Sequence, residues 1–251
     1  MSKNLQQLFL DLGLQRIAAV LDDELGRAAA EATPVTELLQ RLLSLENDAR
    51  TERRAERRIK EAKLPDRKLL ADFDFDFQKN IDKRQIMDLA TLEFAKRKQG
   101  VVFAGNSGTG KSHIAKALLL IACRQNYRCR YVTAATMLAE LLAGRADNSL
   151  DKKLKLFLAP EILLIDEVGF DRLEQHDAAN ACLFHKVIDG RYCKASTIIT
   201  TNIDFKQLGD YLGDPVITTA TVDRMIHHSI IISIEGPSWR LHESRRLNSA
   251  K

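Results

Sequence analysis

Between residues 14 and 25 the apolar positions Leu14, Ile17, Ala18, Leu21 and Leu25 recur three and four apart, the spacing of one face of a helix. Val35, Leu38, Leu39 and Leu42 repeat that spacing after Thr33-Pro34, where a capping residue precedes a proline suited to the first helical position. A third helix is expected from about Leu45 into a highly charged stretch, so this part of the chain reads as helices only. The periodicity fails near residues 64–72, in "KLPDRKLLAD", around Pro65. Beyond it the period changes. Short β-branched runs stand at 101–104 (VVFA), 129–134 (CRYVTA), 161–166 (EILLID), 196–202 (STIITTN) and 230–234 (IIISI), most of them separated by helical stretches. Strands alternating with helices imply βαβ units, hence an α/β domain with a parallel sheet flanked by helices. The boundary expected from this change of pattern divides a helical N-terminal domain, 1–66, from an α/β domain, 67–251.

The chain has 251 residues, 45% of them hydrophobic and 29% charged, enough for one full core and a smaller appendage. Its longest apolar run, "ALLLIAC" at 117–123, falls far short of the ~20 residues that cross a bilayer. The first 16 residues lack the basic start, apolar stretch and cleavage site of a secretory signal. A cytoplasmic protein without membrane contact is expected. Cys123, Cys129, Cys182 and Cys193 form no C-x-x-C pair and are expected to be reduced packing residues. The net charge of +4 is unevenly placed. From Arg50 to Lys63 seven bases (Arg50, Arg53, Arg54, Arg57, Arg58, Lys60, Lys63) face three acids (Glu52, Glu56, Glu61). Such a run fits either a solvated helix laced with ion pairs or a surface for nucleic-acid phosphates.

The chemistry is concentrated after the first strand. In "GNSGTGKSH", Gly105, Gly110, Lys111 and Ser112 fit G-x-x-x-x-G-K-[ST], a match that chance would place in a chain this long about 1% of the time. Glycines let successive backbone N–H groups of Gly105, Asn106, Ser107, Gly108, Thr109 and Gly110 turn inward around a β-phosphate, at the positive end of the helix that follows. Lys111 would reach the β- and γ-phosphates, Ser112 would ligate Mg²⁺, and His113 completes the nucleotide-binding stretch. Asp166 and Glu167 end an apolar strand 55 and 56 residues after Lys111. One carboxylate can hold Mg²⁺ through its waters and the other can take a proton from attacking water, which favours ATP hydrolysis over transfer to a metabolite. Asn202, at the end of "STIITTN", can orient that water. Arg224, on a helix before the last strand, can serve as an arginine finger for a neighbouring subunit. His227 and His228 have no acid or cysteine at a ligand spacing and carry no role.

The ordered set "GNSGTGKS", "ILLIDE", "STIITTN" and "DRMIHH" resembles the AAA+ ATPases of the replication-initiator branch. Within that branch the chain is similar to IstB, the ATPase helper of insertion-sequence transposases, and to the DnaC-type helicase loader. The likeness spans nearly the whole length and is carried further by "KLPDRKLLADFDFDF", "IDGRY" and "PSWR". It implies a P-loop AAA+ core preceded by a small all-helical domain for oligomerisation and for contact with DNA or a partner. It also implies ATP and Mg²⁺ as ligands, and a homo-oligomer that forms on double-stranded target DNA with ATP. That assembly would recruit the cognate transposase and stimulate strand transfer. Gly105 through Ser112 match the family's nucleotide loop, Asp166 and Glu167 its acid pair, Asn202 its sensor and Arg224 its finger. Phe75 or Phe77 of "FDFDF" stands where the family borders the adenine, unless that stretch is an alternating strand, and Arg240 of "PSWR" stands where a second sensor would be.

Only 49 residues follow Asn202, too few for a full C-terminal lid, so the open side of the nucleotide is expected to be closed by a neighbour or by nothing. The other readings compatible with these residues are a helicase loader and a nucleotide-switched DNA scaffold. A small-molecule kinase fits worst, since no arginine cluster for its substrate follows Asp166.

Overall fold

The computed structural model describes residues 2–169, 178–203 and 214–249. Its packing divides the chain into two compact units, 1–57 and 58–251. Three helices make the first unit: α1 (Ser2–Asp11), α2 (Gln15–Glu31) and α3 (Val35–Glu61), the last of which ends in the second unit. Ile17, Leu21 and Leu42 form a small core there, joined by Phe9, Leu14 and Leu38. Leu25, Val35 and Leu39, expected on the same apolar faces, are exposed instead. The second and third helices expected from sequence are one helix of 27 residues, because no glycine or proline between 35 and 61 interrupts it.

Glu46 of α3 does the work of a helix cap. Leu14 offers α2 no side-chain cap, and the buried Glu46 carboxylate instead accepts the N–H groups of Arg16 (2.7 Å) and Ile17 (3.3 Å). Arg50 and Arg53 close on the same carboxylate at 3.0 Å each. Burial pushes the Glu46 carboxyl up, but the two backbone donors and the two guanidinium groups outweigh it and hold it below its ordinary value. Two of the seven bases of the charged run are thereby engaged inside the unit, yet Arg50, Arg53, Arg54 and Arg57 still line one open cleft.

The second unit carries a five-stranded, all-parallel sheet in the order β2-β3-β4-β1-β5. The strands are β1 (Gly100–Gly105), β2 (Cys129–Thr133), β3 (Ile162–Val168), β4 (Ser196–Thr201) and β5 (Ser229–Ile234). Alternate residues feed two cores. Val101, Phe103, Ile162, Leu164 and Ile198 meet α6 (Lys111–Arg124) and α4 (Lys83–Ala90) on one face. Val102, Leu163, Ile165 and Ile199 meet α7 (Ala134–Ala146), α9 (Ala178–Arg191) and α10 (Pro215–His227) on the other. Covered on both faces, β1 and β3 read as continuous apolar runs, which is why they stand out in the sequence. The remaining described α-helices are α5 (Glu93–Lys96), α8 (Leu150–Leu158) and, after β5, α11 (Trp239–Ser249).

Arg191 of "IDGRY" is fully buried, and among the described residues no carboxylate is one of its hydrogen-bond partners. Its guanidinium donates to the carbonyls of Phe157, Pro160 and Ser196 and to the Thr197 hydroxyl, tying the end of α8 to the start of β4. Burial pulls it down to about 10. Cys123 and Cys129 are buried packing residues as expected, whereas Cys182 and Cys193 are exposed; all four are free thiols. Among the described residues no helix is long and apolar enough to cross a membrane.

Candidate functional site

The carboxyl ends of parallel strands are where α/β sheets place ligands, and the motif residues gather there. β1 runs into the loop 105–110 and α6 begins at Lys111. Two glycines of that loop are required by its shape. Gly105 has φ +140°, with the Ile234 carbonyl where a Cβ would stand; Gly108 has φ +80°, with Ser238 in the same position. The buried Lys111 ammonium donates to the carbonyls of Gly105 and Asn106 at 2.7 Å each. Burial lowers its pKa from the ordinary value, Asp166 opposes that shift and the charge of Arg240 adds to it. Lys111, Lys116 and Arg240 line one cavity beside the loop, together with carboxylates that include Glu167 and Glu243, and the cations suit a polyphosphate.

Ser112, in the first turn of α6, donates to Asp166 Oδ1 at 2.7 Å. It does so although β4 lies between β3, which carries Asp166, and β1, which leads into α6. Asp166 is only 1% exposed. Its Oδ1 also accepts the hydroxyl of Thr200 on β4, and its Oδ2 accepts that of Tyr131 on β2 at 3.2 Å. Burial and the Asp166 charge push the Tyr131 phenol up, so it remains a donor.

Glu167 sits at an irregularity of β3. Pairing with β4 holds through Ile165↔Ile199 and resumes at Val168↔Thr201, one residue longer on β3 than on β4. A bulge of this kind re-aims a side chain. Glu167 takes φ +61°, its N–H donates to Thr200 Oγ1 at 2.9 Å, and its side chain faces the open cavity. Asn202, immediately after β4, lines the same cavity beside Thr200 and Thr201.

The cavity has a volume of about 620 Å³, within the range of small-ligand sites. Its remaining walls correct two expectations. "FDFDF" is not a strand. Phe73 is the phenylalanine that borders the cavity, packed where a Cβ on Gly110 would stand and edge-on to His113 at 5.5 Å. Phe75 packs on Phe73 and Phe77 on Trp239, outside it. The open side, expected to be closed by a neighbour or by nothing, is partly closed by α11 of the same chain. The Trp239 N–H donates to the Gly108 carbonyl at 2.9 Å, and Arg240 and Glu243 line the cavity. A single helix is still far from a full lid.

Arg224 lies elsewhere. It is on α10, bound to Asp189 at 2.7 Å and to the Ala220 carbonyl at 3.0 Å. α10 leads to His228, whose carbonyl accepts the Gly100 N–H where β1 starts. The phosphate loop is at the other end of that six-residue strand, roughly 17 Å away. Sequence reasoning thus located the loop, the acid pair and Asn202, which meet in one place, while Arg224 stands apart from them. It missed Tyr131, Thr200 and Phe73. Thr200 and Phe73 each stood in a stretch read for function, "STIITTN" and "FDFDF", but other residues of those stretches were singled out, and Tyr131 stood in a strand read only for its fold.

Among protein families, the model described as IstB-like ATP binding protein matches residues 7–247. The insertion sequence IS5376 protein of Geobacillus stearothermophilus, named as ATP-binding, is 39% identical over 210 residues, covering 84% of this chain and 82% of its own. The corresponding IS21 protein of Pseudomonas aeruginosa is 34% identical over 242 residues, 96% and 90% of the two chains. Among solved structures, the DnaC helicase loader superposes with a TM-score of 0.51 at 25% identity, over 60% of this chain and 86% of that one. AMPPCP-bound DnaA from Aquifex aeolicus superposes at 0.56 and 16% identity, over 74% and 56%, a likeness of fold alone.

Proposed function

The chain belongs to the IstB-like ATP-binding proteins, and from that premise we propose that it is an ATP-hydrolysing helper of an insertion-sequence transposase. In this reading it assembles on duplex target DNA with ATP, recruits the transposase and stimulates strand transfer. The observation that carries it is one nucleotide-sized cavity lined by the phosphate loop, Glu167 and Asn202, with Asp166 bonded to Ser112 of its wall, in a chain whose relatives are insertion-sequence proteins named as ATP-binding.

The triphosphate binds in the loop, where N–H groups and the positive end of α6 meet its charge. Lys111 exchanges the Gly105 and Asn106 carbonyls for β- and γ-phosphate oxygens. The Ser112 hydroxyl and the Asp166 carboxylate form an all-oxygen donor pair, which suits Mg²⁺ completed by phosphates and water. Mg²⁺ held there would neutralise charge on the β- and γ-phosphates. Glu167, aimed into the cavity by the bulge, accepts the proton of the attacking water, and Asn202 orients that water. Arg224 acts on the γ-phosphate of a neighbouring subunit, since its own loop is at the far end of β1. The cleft of Arg50, Arg53, Arg54 and Arg57 supplies cations for DNA phosphates.

The likeness to the DnaC loader favours a second reading, a helicase loader, but that likeness covers 60% of the chain against 96% for the IS21 protein. Co-purification separates them. With ATP and DNA present, the transposase of the same element is expected to be retained and the replicative helicase not; the reverse pattern overturns the transposition reading.

A further inference from the structure

We propose that Tyr131 is a positioning residue for Asp166, and that it ties the metal-serving carboxylate to the segment leaving the basic helix α3. The inference rests on the reading of Asp166 as the carboxylate that serves Mg²⁺. The two oxygens of Asp166 have separate partners. Oδ1 takes the hydroxyls of Ser112 and Thr200, on the nucleotide side. Oδ2 takes the Tyr131 hydroxyl at 3.2 Å, with the Lys116 ammonium at 3.9 Å. A buried carboxylate oxygen without a donor carries a large desolvation penalty, so the phenol fixes the rotation of the group and keeps Oδ1 on Ser112 and Thr200, which line the cavity.

Tyr131 is itself held from outside the sheet. β2 is an edge strand, hydrogen-bonded on one side to β3. On its other side the Tyr131 N–H donates to the carbonyl of Ala62 at 2.8 Å, one residue beyond the end of α3. Lys116 lies over the Tyr131 ring at 5.3 Å and reaches Asp66 at 3.2 Å. Residues 62–66 therefore grip the phenol through its own backbone at one end and through Lys116 at the other. A displacement of that segment, as when the helix before it meets DNA, would move the donor on Oδ2 while leaving the phosphate loop in place. Tyr131 does not line the cavity; its hydroxyl acts through Asp166, while its ring touches Lys116, which does line the cavity.

Tyr131→Phe removes the hydroxyl and nothing else. A fluorescent ATP analogue is titrated into the full-length protein without Mg²⁺ and across a Mg²⁺ series, with thermal melting alongside. The expected result is a half-saturating Mg²⁺ concentration raised about tenfold or more, the size typical of lost outer contacts to a metal ligand. Metal-free affinity should stay within about twofold. Unchanged Mg²⁺ dependence in the variant, or an equal loss with and without Mg²⁺, overturns the positioning role. If the unaltered protein binds the analogue equally well with and without Mg²⁺, the reading of Asp166 itself falls and this inference with it.

Discussion

Glu167 adopts a backbone conformation that costs a non-glycine residue about 1–2 kcal/mol, and the bulge in β3 holds it there. Strain kept at a residue facing a nucleotide-sized cavity is consistent with a chemical role. Glu167→Gln should preserve that geometry and ATP binding while lowering hydrolysis by ~10²–10⁴, which a phosphate-release assay measures. Hydrolysis at the unaltered rate would place the base elsewhere. Lys111→Ala removes the cation over the loop, and a fluorescent-nucleotide titration should then find no ATP binding; unchanged affinity would refute the phosphate-cradle reading. These residues were legible because their chemistry is written in local spacing: a loop, a lysine and a serine in eight positions, two acids at the end of an apolar run. Thr200, Tyr131 and Phe73 were not, because each arrives from a different strand or segment and acquires its role only when the sheet is assembled. In "STIITTN" attention fell on the terminal Asn202, while the residue that bonds both acids is Thr200, two positions earlier.

Among the elements, α2 depends on a residue of another helix for its first turn. Glu46→Gln keeps the shape but loses the charge that faces Arg50 and Arg53, and Glu46→Ala also leaves the Arg16 and Ile17 N–H groups without their acceptor. The alanine variant should lose about 1–3 kcal/mol, seen as earlier loss of amide protection in α2 during hydrogen exchange of the full-length protein. The pH dependence has a definite sign. The folded-state pKa of Glu46 lies below its ordinary 4.5, so its contribution is fully present above about 4.5 and is lost as pH falls through the lower folded value. Protection of α2 should decline below pH 4.5 in the parent and be flat there in Glu46→Gln. Equal acid sensitivity in both would assign the effect to other groups. The five strands were readable almost to the residue because each is a short β-branched run, and β1, β3 and β4 are also covered on both faces. The length of α3 was not, since a change from apolar to charged composition resembles a boundary although no residue there breaks a helix. The alternation of "FDFDF" mimics a strand, but its phenylalanines pack on His113, on each other and on Trp239 rather than into a sheet. The 11 residues of α11 are mostly polar and carried little periodic signal.

For the whole molecule, Arg224 stands at the opposite end of β1 from its own phosphate loop, and the proposed finger role requires a second subunit. Arg224→Ala should bind ATP nearly normally and lose hydrolysis by ~10³–10⁵. Mixed with Lys111→Ala, it should recover part of the ATPase rate, because one variant retains a nucleotide site and the other a finger. No recovery in demonstrably mixed assemblies would confine Arg224 to its packing against Asp189. The fold class and the nucleotide chemistry could be read along the chain, but subunit contacts and DNA geometry depend on surfaces that no local spacing encodes. The claim that unites the account is that ATP, and not ADP, commits this protein to DNA. Fluorescence anisotropy of a labelled duplex of arbitrary sequence, titrated with Glu167→Gln at two salt concentrations, measures it directly. The account predicts tight binding with Mg-ATP, weak binding with Mg-ADP and a steep loss of affinity at the higher salt. Equal affinity with either nucleotide, or none with ATP, would contradict it.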